Sequence, residues 1–259
     1  EELKEKGFNP VLLSRGDGAN NQTPHLVSAY SKAHEVGDEA VLLFKLSGCP
    51  VVAGRDRVAG AEIAAQHGDV IILDDGFQYR QLGRVCDVVL VPSEGVGNGC
   101  LIPAGPLREP VAALSRADII VRSGYEESFP LSNTKEWRWA AQSAYIRDWK
   151  GVWDMPLESG CYVRVVTAIA RSHRVVTDLK LMGMRIREHH IFADHHVYTK
   201  ADVKALVQFE EAMVTTAKDA VKLLPLWPDE RPLWVLEQQA EAESGLIESI
   251  VKKLRPSQV

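Results

Sequence analysis

The feature that most constrains the fold is a series of short apolar runs without polar alternation: Val11-Leu12-Leu13-Ser14, Pro50-Val51-Val52-Ala53, Val70-Ile71-Ile72-Leu73, Cys86 to Val91 and Asp118-Ile119-Ile120-Val121. A strand with one wetted face alternates apolar and polar side chains. Runs that do not alternate mark strands buried on both faces, as in a parallel sheet covered by helices. Between them, Asp38 to Lys45 and Val58 to His67 carry apolar residues at helical spacing. The first half therefore reads as βαβα with a mostly parallel sheet. Glu1 to Lys6 reads as the end of a helix with Gly7 as its C′ residue, so the sequence is expected to open partway along that helix.

At 259 residues the chain holds one large α/β domain or two modest ones, at about 150 residues per domain. Apolar residues make up 46%, charged residues 25%, and the net charge is −5, a profile that excludes disorder, collagen and a disulfide scaffold. It also argues against a nucleic-acid partner, which a broad basic face would have to hold. Cys49, Cys86, Cys100 and Cys161 form no C-x-x-C pair, so neither a zinc site nor a disulfide framework is read from them, and a reducing cytoplasm fits best. No run approaches the length needed to span a bilayer.

From about residue 124 the texture changes, and four of the six tryptophans fall between Trp137 and Trp153. Glu136-Trp137-Arg138-Trp139 alternates as a half-exposed strand does. The tryptophans read first as a local core and second as an apolar surface for a greasy ligand. After them comes a second α/β unit, with strands at Tyr162 to Ile169, Arg185 to Ile191, Met213 to Thr216 and Pro232 to Glu237. Arg174 to Met182 reads as a helix, and Thr199 with Asp202 opens another through a capping box. The expected division is a core over 1–123, linker strands over 124–160 and a smaller α/β domain over 161–259.

The strongest chemical signal is Leu73-Asp74-Asp75-Gly76-Phe77-Gln78. A buried strand ending in two carboxylates places acids at the carboxyl edge of a parallel sheet, where open α/β folds bind ligands. In phosphate-transferring proteins an acid there holds Mg²⁺ directly or through water; an Asp that only caps the following turn has the same signature. Asn98 to Pro110, with three prolines and two glycines in 13 residues, reads as a rigid turn whose Arg108-Glu109 grips a phosphate or sugar hydroxyl, or pairs internally at the surface. Four of the eight histidines lie in residues 189–196. Their spacing fits no zinc site, and a His working with a carboxylate in proton transfer is the sharper reading beside surface imidazoles at a strand end. Asp38, after Gly37, opens a helix either as its N-cap or with a chemical role. Arg55-Asp56-Arg57 sets two guanidiniums at a strand end, where they suit a phosphorylated ligand or a solvated salt bridge.

Taken in order, Leu13-Ser14-Arg15-Gly16, Gly37-Asp38-Glu39, Arg55-Asp56-Arg57, Leu73 to Gln78, Leu101 to Pro110, Arg116-Ala117-Asp118, Asp194-His195-His196 and Thr216 to Leu223 resemble the motifs of the tetraacyldisaccharide 4′-kinase family. That family phosphorylates the disaccharide precursor of lipid A. The resemblance implies a P-loop-type nucleotide-binding core and a second, smaller α/β domain that closes over the site. It implies Asp74 and Asp75 as Mg²⁺ ligands, with Gln78, Lys218 and Asp219 on the side of ATP. Asp38, assisted by His195, would take the proton of the sugar 4′-hydroxyl, while Arg15, Arg57, Arg108 and Glu109 would contact substrate or phosphate. The implied partner is an acylated disaccharide phosphate lipid, met at the cytoplasmic face of the bacterial inner membrane by a peripheral protein.

The sequence departs from the family at Asp17, Tyr79, Ala193, Ala217 and Ala168-Ile169-Ala170-Arg171, where an aromatic, His, Pro, Glu and a Gly-rich turn are usual. Family members also begin with a membrane-associated helix and a Gly-rich loop ending in Gly-Lys-Thr, whose N–H groups and lysine cradle the phosphates. The 259 residues contain no G-x-x-x-x-G-K-[ST]. The resemblance thus implies that they start after that loop and, taken alone, turn over little substrate. The alternative is a non-catalytic nucleotide- or lipid-binding relative, against which stand Asp38, Asp74, Asp75 and His195.

Overall fold

All five apolar runs of the first half contain strands in the computed structural model, which describes residues 1–19, 23–93, 95–124 and 135–255. The chain runs α1 (Glu2–Glu5), β1 (Pro10–Ser14), β2 (His25–Leu26), α2 (Ala33–Val36), α3 (Asp38–Ser47), β3 (Val51–Ala53), α4 (Arg57–Ala64), β4 (Val70–Leu73) and β5 (Val88–Val91). A 3₁₀ turn (Val111–Arg116) leads into β6 (Ile119–Ser123) and β7 (Glu136–Asp148). Then follow β8 (Tyr162–Thr167), α5 (Ser172–Leu181), β9 (Arg185–Ile191), α6 (Lys200–Leu206), β10 (Ala212–Thr216), α7 (Ala217–Leu223), β11 (Trp234–Ala242) and α8 (Leu246–Leu254).

The strands form two sheets, in the orders β2-β3-β1-β4 and β5-β6-β7-β11-β10-β8-β9. In the first, β1 pairs in parallel with both β3 and β4, and only β2 runs antiparallel. In the second, every pairing is parallel except β7 with β11. Two α/β layers with mostly parallel sheets follow from apolar runs joined by helical crossovers. The sheets do not divide the chain where its texture changes. β5 and β6, from before residue 124, lie in the second sheet, and the single long strand β7 joins them to β11. Residues 125–134, the first part of the expected linker, lie outside the described residues.

Period-two alternation assigns each core. Val163 and Val165 of β8 face one side of the second sheet, packed with Val175 and Leu179 of α5 and Trp234 and Leu236 of β11. Val166 faces the other side, with Leu206 of α6, Leu223 of α7 and Val235 of β11. Both faces are therefore covered, and each fully buried Val or Leu contributes about 1.5–3 kcal/mol. In the first sheet Val11, Leu13 and Val52 meet α4, whereas Leu12, Val51 and Ala53 meet α3. The expectation of burial on both faces fails for β4 and β5. Ile71 and Ile72 are 36% and 39% exposed and Leu90 61%, because β4 and β5 are end strands among the described residues, with a neighbour on one side only.

The local signals explain where helices start. Thr199 and Asp202 exchange both hydrogen bonds of a capping box at α6, worth about 1 kcal/mol. Asp56 accepts from the N–H groups of Val58 and Ala59 and so caps α4. Gly7 (φ +88°) follows the short α1, as read from sequence. Trp137 is buried against Ile119, Val121 and Leu246, which is the local-core reading, whereas Trp153 is 59% exposed. Among the described residues no helix is long and apolar enough to cross a membrane.

Candidate active site

Because β1, β3 and β4 are parallel neighbours, their carboxyl ends emerge together, and the three following loops meet at one edge of the sheet. A cleft of about 300 Å³ opens there. The end of β1 supplies Ser14 and the loop after it Arg15 and Asp17, β3 leads to Arg57, and β4 delivers Asp74 and Asp75. Glu39 of α3 and Arg108 of the Pro-rich loop complete the wall. Three guanidiniums and four carboxylates thus face one space.

Arg57 is buried and its guanidinium donates to the Asp75 carbonyl at 3.0 Å, so it braces the turn from within and is no solvated surface pair. Arg108 donates to the Asp75 carboxylate at 3.3 Å. Asp75 itself has φ +47°, a left-handed conformation uncommon outside glycine. Among the described residues only one other non-glycine residue has positive φ, His195 at +59°. Backbone strain of this kind costs about 1–3 kcal/mol and gathers at functional sites.

The Asp74 carboxyl is held above the ordinary carboxylate range, by desolvation first and then by the neighbouring Glu39 and Asp75 carboxylates. Excess negative charge of this kind is what a divalent cation relieves. Among the described residues no group of three or more His, Cys, Asp or Glu is arranged to cage a metal. Mg²⁺ takes one or two carboxylates and completes its shell with water and phosphate oxygens, and the paired carboxyls of Asp74 and Asp75 in the cleft wall are a donor set of that kind.

The second part of the site is the start of α3. Gly37 has φ +93°, and a Cβ there would lie 2.8 Å from the Asp17 carbonyl oxygen, so only glycine lets α3 begin against the β1 loop. Gly37, not Asp38, is the N-cap; Asp38 is the first helical residue, buried, with Oδ1 accepting from the Glu39 N–H at 3.0 Å. Its Oδ2 stands 3.6 Å from His195 Nδ1 and 3.9 Å from Lys222 Nζ. Residues 157 apart in sequence thereby form the carboxylate–imidazole pair.

The remaining candidates fall around this pair. Lys218 of α7 reaches Glu39 at 3.1 Å. Asp219 is fully buried, with Oδ2 accepting from the Ala168 N–H at 3.0 Å and the Thr216 hydroxyl at 2.9 Å. The backbone turn 168–171, which departs from the family pattern, is thus held by Asp219. Arg15 is half exposed and pairs with Asp17 at 3.3 Å, and Gln78 is exposed in the turn after Gly76. Glu109 does not pair with Arg108; Arg80 at 3.3 Å and Arg116 at 2.5 Å hold it, and the Arg116 hydrogen bond keeps its carboxyl below the usual range. Hydrogen bonds cross the Pro-rich loop. Asn98 caps it twice, to Cys100 N–H and the Ala104 carbonyl, and Ile102 and Leu107 hydrogen-bond across it. His196 is occupied by Asp202 at 3.2 Å and stacks on Phe192. Ser14 and Lys222 lie within motifs quoted from the sequence but carry no assigned role there; for Lys222 the available signal is its spacing of four from Lys218.

A family model described as tetraacyldisaccharide-1-P 4′-kinase matches residues 1–255. The tetraacyldisaccharide 4′-kinase of Dechloromonas aromatica (strain RCB) is 36% identical over 281 residues, covering 100% of this chain and 78% of that protein. That of Azoarcus sp. (strain BH72) is 35% identical over 268 residues, covering 98% and 75%. Among solved structures, LpxK from Aquifex aeolicus, described as the "apo" form in complex with ATP, superposes with a TM-score of 0.78 at 26% identity, over 98% of this chain and 82% of that one.

Proposed function

The chain belongs to the tetraacyldisaccharide-1-P 4′-kinase family, and from that premise we propose how its own residues divide the transfer of the ATP γ-phosphate to the 4′-hydroxyl of a tetraacyldisaccharide 1-phosphate. Asp38 Oδ2 accepts the hydroxyl proton as the 4′-oxygen bonds to the γ-phosphorus and the bond from phosphorus to the β–γ bridging oxygen breaks, releasing ADP. His195 stands against the same oxygen and orients it. Asp74 and Asp75 would hold Mg²⁺, and the charge it would supply there neutralises the phosphates. Arg57 and Arg108 brace Asp75 and present positive charge to the phosphoryl oxygens or the substrate phosphate. Arg15 and Glu109 line the approach of the substrate, and Gln78, Lys218 and Asp219 serve the nucleotide side, Asp219 through the 168–171 turn it holds.

The observation that carries this reading is the convergence of an acidic strand end and three arginines on one edge of a parallel sheet, with the carboxylate–imidazole pair of Asp38 and His195 beginning next to Glu39 of the cleft wall. A loose phosphoryl transfer asks for little else: positioning, charge neutralisation and one proton acceptor. The lipid nature of the substrate supports a peripheral place at the cytoplasmic face of the inner membrane, and the α/β unit built on the second sheet, to which β5–β7 also belong, is the part that closes on the site through α7.

The test is transfer of labelled γ-phosphate by the protein as its gene encodes it, with the acylated disaccharide 1-phosphate and Mg²⁺. Label in the 4′-phosphate, lost when Mg²⁺ is chelated, is expected. Tight Mg²⁺-ATP binding with no transfer would instead make the protein a nucleotide-binding relative.

A further inference from the structure

Lys222 has no part in the roles assigned above. It lies on α7 one turn beyond Lys218, its side chain 8% exposed and its ammonium buried without a hydrogen-bond partner among the described residues. Burying an ammonium costs several kcal/mol unless opposite charge surrounds it. Here Asp219 Oδ1 stands 3.2 Å away and Asp38 Oδ2 3.9 Å away, with the Tyr198 ring centroid at 5.5 Å.

The geometry separates two tasks. Asp219 commits its other oxygen to Ala168 N–H and the Thr216 hydroxyl, which leaves Oδ1 to anchor the ammonium. From that anchor the charge faces Asp38, whose Oδ1 is tied to the Glu39 N–H and whose Oδ2 lies between the lysine and His195. At 3.9 Å the ammonium attracts Oδ2 without a hydrogen bond, so the lone pairs of that oxygen stay free. One turn earlier on the same helix face, Lys218 takes Glu39 at 3.1 Å. The two lysines of α7, four residues apart, therefore grip the two adjacent carboxylates that open α3.

We propose that Lys222 is a positioning residue for phosphoryl transfer: anchored by Asp219, it fixes the Asp38 carboxylate between its own ammonium and His195, with Oδ2 free to accept the 4′-hydroxyl proton. This rests on the role given to Asp38 above. It also assigns α7 a second duty, registering the C-terminal unit on the catalytic helix.

The experiment is a double-mutant cycle on the gene-encoded protein. Lys222→Met keeps the length and removes the charge. Its kcat is expected to fall about 10²-fold, the scale of a misplaced reacting group. In an Asp38→Ala background the same change is expected to cost nothing further, since the group it positions is gone. Wild-type kcat in Lys222→Met overturns the proposal, and so does a loss that multiplies in full with that of Asp38→Ala, which marks a purely structural lysine. Should Lys222→Met fail to fold, Lys222→Arg carries the cycle: it retains the charge with altered reach, and a fall of about tenfold in kcat, absent in the Asp38→Ala background, is expected. An Asp38→Ala enzyme of undiminished rate refutes the base role and the proposal with it; an inactive Asp38→Ala beside a fully active Lys222→Met refutes the proposal alone.

Discussion

Asp75 and Asp148 both stand at the carboxyl end of a strand, yet their surroundings are opposite. Asp75 follows β4 in a left-handed conformation, its carboxylate open to the cleft with one arginine at 3.3 Å. Asp148 ends β7 buried, with Oδ1 accepting from Lys150 and Leu233 N–H and Oδ2 from Val152 and Trp153 N–H, all within 3.1 Å. The first carboxylate has lone pairs to spare in a strained, polar opening; the second has spent them on the backbone. One is built for a ligand, the other for the fold, and the sequence type is the same.

The contrast is sharpest under substitution. Asp148→Ala orphans four N–H groups at once and is expected to cost roughly 3–5 kcal/mol, a fall in Tm of about 10 °C by calorimetry. Asp75→Ala should do the reverse, losing about 10²–10³ in kcat/KM with Tm changed by no more than a few degrees. A stable Asp148→Ala or an active Asp75→Ala breaks the comparison. The same division runs through the strands. Leu179→Ala, on α5 where it covers one face of the second sheet, is expected to cost about 2–5 kcal/mol, while Ile72→Ala on the half-exposed β4 should stay below about 1 kcal/mol, both read from urea midpoints.

The smallest effect has an unusual sign. Because the Asp74 carboxyl is held above its ordinary range, this one group holds its proton more tightly in the folded chain than in the unfolded one. The stability this confers is complete below the ordinary carboxylate range and lost as pH rises through the raised value. Asp74→Asn should therefore melt slightly above wild type near pH 7 in Mg²⁺-free buffer, with the gap closing toward pH 4, while its kinase activity falls. A lower Tm than wild type near neutrality would contradict the crowded-carboxylate picture. Stabilising a site while disabling it is the expected trade where charge is held ready for a ligand.

Much of this was legible from residue order. Apolar runs located the strands because buried parallel strands need no polar alternation, and Asp74-Asp75 was visible because acids directly after such a run reach the sheet edge. Thr199-x-x-Asp202 announced α6 through local hydrogen bonds alone. What stayed hidden depends on distant partners. Asp148 looks like any polar residue after a strand until Leu233, 85 residues on, supplies its N–H. Lys222 acquires meaning only when α7 packs on α3, and Glu109 only when Arg80 and Arg116 take it from Arg108. The exposure of Ile71 and Ile72 is set by what flanks β4 in the sheet, which the run Val70-Ile71-Ile72-Leu73 does not encode.

The central claim is that Asp38, paired with His195 across 3.6 Å, accepts the proton in phosphoryl transfer at the Asp74-Asp75 cleft. Its most direct test is the rate of 4′-phosphorylation by gene-encoded Asp38→Ala beside nucleotide affinity measured by calorimetry. The account predicts a fall in kcat of about 10²–10⁴-fold with Mg²⁺-ATP bound as tightly as by wild type. An undiminished rate would contradict it.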